Sequence, residues 1–103
     1  MYILVYITTS GINESEKIAR LLVEERLAVC TNILPSIKSI YRWQEGVEED
    51  SESLLIAKSD TSKIDEIIET VKKVHSYEIP CVLAIPIIKG SEDYLNYLDS
   101  EID

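Results

Sequence analysis

Val29-Cys30-Thr31-Asn32-Ile33-Leu34-Pro35-Ser36-Ile37-Lys38-Ser39-Ile40-Tyr41-Arg42-Trp43 is the stretch on which the fold turns. Ile37, Ser39, Tyr41 and Trp43 alternate with Lys38, Ile40 and Arg42 at the strand period of two. Pro35 cannot donate to a ladder, so it predicts a bulge or bend partway. The acidic stretch around Gly46 reads as a hairpin tip, with Ser53-Leu54-Leu55-Ile56-Ala57-Lys58 returning as the partner strand. From Val29 to Trp43 a straight strand would run ~50 Å, whereas the apolar run at residues 2–7 offers about 20 Å. The hairpin must overhang the sheet, and exposed edges of that length call for pairing with another chain.

Outward from the hairpin, the remaining elements follow from periodicity. Residues 2–7 form a continuous run of β-formers, as in a strand covered on both faces. Asn13 with Glu16 suggests a capping-box start, and Ile18, Leu21, Leu22 and Leu27 give a helical stripe to about Leu27. Asp60, Thr61 or Ser62 caps a second helix carrying Ile64, Ile67, Ile68 and Val71, which ends near His75. Cys81 to Ile88 is a last strand, marked as an edge by Pro86. Gly90 and Ser91 open a terminal helix with Tyr94, Leu95 and Leu98. The expected fold is α+β: a ferredoxin-like β-α-β-β-α-β antiparallel sheet, spatial order 4-1-3-2, with an extended hairpin and a C-terminal helix, in one domain over residues 1–103.

The 103 residues carry ten Lys and Arg against nineteen Asp and Glu, a net charge of −9. That field disfavours nucleic-acid phosphates and anionic membranes, and leaves metal cations, small ligands and other proteins. No apolar run is long enough to span a bilayer, and the N-terminal run lacks a signal peptide's flanks. Two cysteines without CxxC spacing suggest an intracellular, cytoplasmic chain with reduced thiols. Phosphate loops, GxSxG and HExxH are absent, and one histidine supplies no nucleophile–base pair, so no enzyme is expected.

His75, the only histidine, falls at a helix C-terminus and reads either as a helix-end cap or as a ligand. Cys30 and Cys81 read either as core residues or as thiol ligands. They begin strands that start at opposite ends of the sheet, ~20 Å apart, so within one subunit His75 can share a metal with Cys81 and not with Cys30. The acids between Glu45 and Glu52 read as a solvated loop or a weak cation site.

Four ordered motifs add a resemblance. Ala28-Val29-Cys30-Thr31-Asn32, Ser39-Ile40-Tyr41-Arg42-Trp43, His75-Ser76-Tyr77-Glu78-Ile79-Pro80, and Gly90 with Asp93-Tyr94-Leu95 occur at spacings that closely resemble the CutA family of divalent-cation tolerance proteins. The resemblance covers essentially the whole chain. It implies a homotrimer akin to the PII signalling proteins, with hairpins interlocking about a threefold axis. It also implies copper or other divalent-metal tolerance, with metal binding attributed to Cys and His positions that match Cys30 and His75. Ser76 stands where the family usually has Pro, and Cys81 where it commonly has Glu, which offers a local replacement ligand.

Two functional expectations result. One is a trimeric divalent-metal protein with no obligatory cofactor, holding Cu²⁺ or a similar ion through His75, Cys30 or Cys81. The alternative is a PII-like sensor or scaffold with Ser39, Tyr41, Trp43, Glu52, Lys58 and Tyr77 lining inter-subunit clefts for a small molecule or partner protein.

Overall fold

The computed structural model describes residues 1–102. The elements are β1 (Tyr2–Thr9), α1 (Ile12–Glu24), β2 (Cys30–Trp43), β3 (Gly46–Asp60), α2 (Ile64–Val74, entered through a 3₁₀ turn at Thr61–Lys63), β4 (Val82–Pro86) and α3 (Glu92–Glu101). The strands form one antiparallel sheet in the order β2-β3-β1-β4. This is the ferredoxin-like order expected from the sequence.

β1 alternates between buried and half-buried residues, which corrects the reading of a strand covered on both faces. Ile3, Val5 and Ile7 pack with Leu55 and Ala57 of β3 under Ile18 and Leu22 of α1 and Ile67 and Val71 of α2. The opposite face, bearing Tyr2, Leu4, Tyr6 and Thr8, is covered only at one end by α3. There Leu98 is buried, and the Tyr2 hydroxyl donates to Asp99 at 3.1 Å. Leu83 and Ile85 of β4 stay exposed on that face.

Three local expectations are corrected. Gly11, not Asn13, caps α1, and it does so without a side chain; Glu14 instead accepts the Ser10 amide. α1 stops at Glu24 because Arg26 turns left-handed (φ 60), and the Leu27 and Ala28 amides fold back onto the Leu22 carbonyl. The hairpin tip is only Gln44 and Glu45, both at positive φ, as a two-residue type I′ turn requires. The acids from Glu48 to Glu52 therefore belong to β3 rather than to a loop.

β1 pairs with β3 only as far as Thr9 opposite Ser53. Beyond it, seven further rungs of β2–β3 pairing, from Ile37–Glu52 to Trp43–Gly46, project without a third strand. The register breaks between Leu34 and Ile37, where Pro35 sits. A buried hydroxyl chain holds this junction. Thr9 Oγ1 lies 2.7 Å from Ser15 Oγ, Ser15 donates to Ser53 Oγ at 2.8 Å, and Ser53 donates to the Leu34 carbonyl at 3.1 Å. Thr9 Oγ1 also donates to the Gly11 carbonyl at 2.9 Å, so these four contacts share three hydroxyl protons. The same carbonyl receives the Ser15 amide at 3.1 Å.

Ser53→Ala strands both the Ser15 hydroxyl and the Leu34 carbonyl, and the expected loss is about 1–3 kcal/mol in urea unfolding at fixed protein concentration. The exposed neighbour Ser51, changed to Ala, should fall within about 0.5 kcal/mol of the parent.

Candidate ligand cleft

α2 ends at His75, which leaves the helix in an extended conformation while its amide still bonds to the Val71 carbonyl. The segment 75–81 then passes the end of β1 to reach β4, and four groups tie it down. His75 Nε2 faces the Thr8 carbonyl at 2.8 Å, and Nδ1 accepts the Tyr77 amide at 3.0 Å. These partners define a neutral ring with its proton on Nε2. Glu14 of α1 receives the Ser76 amide at 2.7 Å and the Ser76 hydroxyl at 2.9 Å. The Tyr77 ring packs on His75 with centroids 4.7 Å apart, and its hydroxyl donates to Glu52 Oε2 at 2.7 Å.

That last bond joins the segment to the base of the projecting hairpin, and a cavity of about 540 Å³ lies between them. Its floor is Tyr6 and Thr8 of β1. The hairpin wall bears Ser39, Tyr41 and Trp43 from β2 with Asp50 and Glu52 from β3, and the facing wall is Tyr77, Glu78, Ile79 and Cys81. The hairpin side chains converge because the β2–β3 register sets Ser39 opposite Asp50 and Tyr41 opposite Glu48. The Tyr41 hydroxyl donates to Asp50, which raises the phenol's pKa to about 12. Burial, reinforced by the bond to Glu52, pushes Tyr77 higher still, so both phenols stay protonated donors at neutral pH.

Five of the six residues expected at a cleft thus line one cavity: Ser39, Tyr41, Trp43, Glu52 and Tyr77. Lys58 does not line it. Its ammonium donates to the Tyr94 hydroxyl at 3.1 Å and lies 4.0 Å from Cys30 Sγ, on the part of the sheet that α3 covers. The metal candidates are dispersed: Cys81 borders the cavity, Cys30 sits beside Lys58, and His75 is buried with both ring nitrogens bonded. Among the described residues no three His, Cys, Asp or Glu side chains are poised to hold one ion. Among the described residues, His75 is therefore not part of a ready-made set of metal donors within one chain.

Tyr6, Thr8, Asp50, Glu78 and Ile79 were not anticipated at the cleft. Asp50 was the legible one. Placing the turn at residues 44–45 would have set it across from Ser39 by strand register alone.

The model for the family described as CutA1 divalent ion tolerance protein matches residues 3–101. The chain belongs to this family. It is 39% identical to the divalent-cation tolerance protein CutA of Archaeoglobus fulgidus, over the full length of both. It is 46% identical to the Thermus thermophilus protein of the same name, over 91% of each. The chloroplastic CutA protein of Arabidopsis thaliana is 43% identical over 93% of this chain, which spans about half of that relative's length. The solved structure of the A. fulgidus protein, described as periplasmic, superposes with a TM-score of 0.96 at 38% identity, covering both chains fully. The T. thermophilus structure also reaches 0.96, at 43% identity and full coverage of both. Among the described residues no helix is long and apolar enough to cross a membrane.

Glu14 makes the anchoring of segment 75–81 sensitive to acid. Burial opposes its ionisation, but the hydrogen bonds from Ser10 and Ser76 outweigh burial and lower its pKa from 4.5 to about 2. A depressed carboxylate stabilises the fold above its unfolded pKa, and that contribution disappears as pH falls through the folded value. Unfolding free energy should therefore drop between about pH 5 and pH 2, with Glu14 responsible for about 1–2 kcal/mol after allowance for solvent screening. Urea midpoints across that range should fall less steeply for Glu14→Gln than for the parent.

Proposed function

We propose that this chain acts in divalent-cation tolerance as a homotrimeric, PII-like sensor or scaffold whose cleft receives a ligand. The observation that carries the reading is the cavity of about 540 Å³ at the hairpin base, which gathers aromatic and acidic side chains from β1, β2, β3 and segment 75–81. The family supports the tolerance role. The seven rungs of unsupported ribbon, with Ile40 64% and Val47 66% exposed, support assembly, since such edges and apolar faces ordinarily find partners. Both cysteines are free, in keeping with a reducing cytoplasmic setting. We assign no reaction to the cleft.

A second reading, capture of Cu²⁺ or a similar ion, is favoured by one observation: the Cys81 thiol shares the cavity with carboxylates. For His75 to join as a ligand it must surrender its bond to the Thr8 carbonyl or to the Tyr77 amide. Equilibrium dialysis against Cu²⁺ separates the two readings. The sensor reading expects equal copper retention by wild type, His75→Ala and Cys81→Ser. Stoichiometric retention by wild type that either substitution abolishes would support the metal reading instead.

A further inference from the structure

The charge of the cleft is of one sign. Asp50, Glu52 and Glu78 border it, and among the described residues no Lys, Arg or His does. Glu52 is the informative member, only 8% exposed. Its one hydrogen bond among the described residues comes from the Tyr77 hydroxyl to Oε2, and no ammonium or guanidinium pairs with it. The surroundings suit a cation of a particular kind. Four aromatic residues, Tyr6, Tyr41, Trp43 and Tyr77, border the same space. The faces of such rings carry negative potential and attract ammonium groups. Tyr41 and Tyr77 are held in place by their bonds to Asp50 and Glu52.

Size and donor geometry argue against a bare inorganic ion. A cavity of about 540 Å³ is that of a small organic molecule. Ca²⁺ or Mg²⁺ requires several converging oxygens, and no three acidic or metal-ligating side chains converge among the described residues. A phosphate-bearing ligand would face three carboxylates here and, among the described residues, no cationic side chain.

We propose that the cleft binds a small organic ammonium ion, its apolar body against the rings of Tyr41, Trp43 and Tyr77 and its charged nitrogen at Glu52. The inference rests on the cleft reading above and names the ligand class.

Putrescine and its neutral counterpart butane-1,4-diol form the direct test. They would be titrated into the full-length assembled protein by calorimetry, with the fluorescence of Trp43, the only tryptophan, followed in parallel. Saturable putrescine binding is expected, at least about tenfold tighter than the diol and weakened by about tenfold or more in Glu52→Gln. Equal affinity for the diamine and the diol would overturn the proposal, and so would competition by equimolar Mg²⁺. Both comparisons use the wild type and do not depend on how any variant folds. A neutral or anionic metabolite that shifts Trp43 fluorescence while putrescine does not would leave the cleft reading standing and remove the ammonium assignment. No response to putrescine, together with loss of the trimer in Glu52→Gln, would mean that a second copy of the chain neutralises Glu52, and would also remove it.

Discussion

The constraint on which this structure depends is a mismatch of strand lengths. β1 has eight residues, while β2 has 14 and β3 has 15. The helices can cover only what β1 and its neighbours present, so the core ends where β1 ends. Past Thr9 and Ser53 the hairpin is a two-stranded ribbon, a form that is marginal in water without further packing. Its projection contributes to the molecule's longest dimension of 45 Å, against 25 and 23 Å in the other directions. The cleft and the proposed assembly both follow from this overhang: the first occupies the corner under it, and the second covers its exposed faces.

The corner is held from several directions at once. The hydroxyl chain through Thr9, Ser15 and Ser53 ties α1 and β1 to the carbonyl of Leu34, where the ribbon leaves the sheet. Glu14, one residue before Ser15, ties α1 to segment 75–81. Tyr77 then closes the circuit onto Glu52, one residue from Ser53. The cavity walls are thus joined through polar bonds that are satisfied at every buried side-chain atom among the described residues. Such satisfied networks favour a defined geometry, which preorganises a site for its ligand. His75 belongs to this frame. Its sequence position at a helix end drew attention as a ligand, yet its two nitrogens bind the Thr8 carbonyl and the Tyr77 amide and thereby shape the segment.

Much of this was legible in the residues. The apolar period of α2, the Pro35 irregularity and the edge position of the last strand follow from patterns local to each element, and the strand order from their succession, although β4 is Val82–Pro86 rather than the expected Cys81–Ile88. The turn did not, because Gln44 and Glu45 adopt positive φ without the Asn or Gly that usually announces it. Once the tip was drawn too broad, Asp50 was assigned to a loop rather than to the cleft wall. The end of α1 was hidden for the same reason, a left-handed Arg26 where Gly would have signalled a stop. Lys58 illustrates the limit of reading strands alone. It was expected at the cleft, but the packing of α3, which brings Tyr94 to its ammonium, is a tertiary fact that no strand period contains.

The overhanging ribbon needs a cover in solution. Sedimentation equilibrium of the wild type at micromolar concentration measures this without reference to any ligand. A single species of three times the 11.7 kDa chain mass is predicted. A mass of one chain, with the ribbon exposed to water along its whole length, would contradict it.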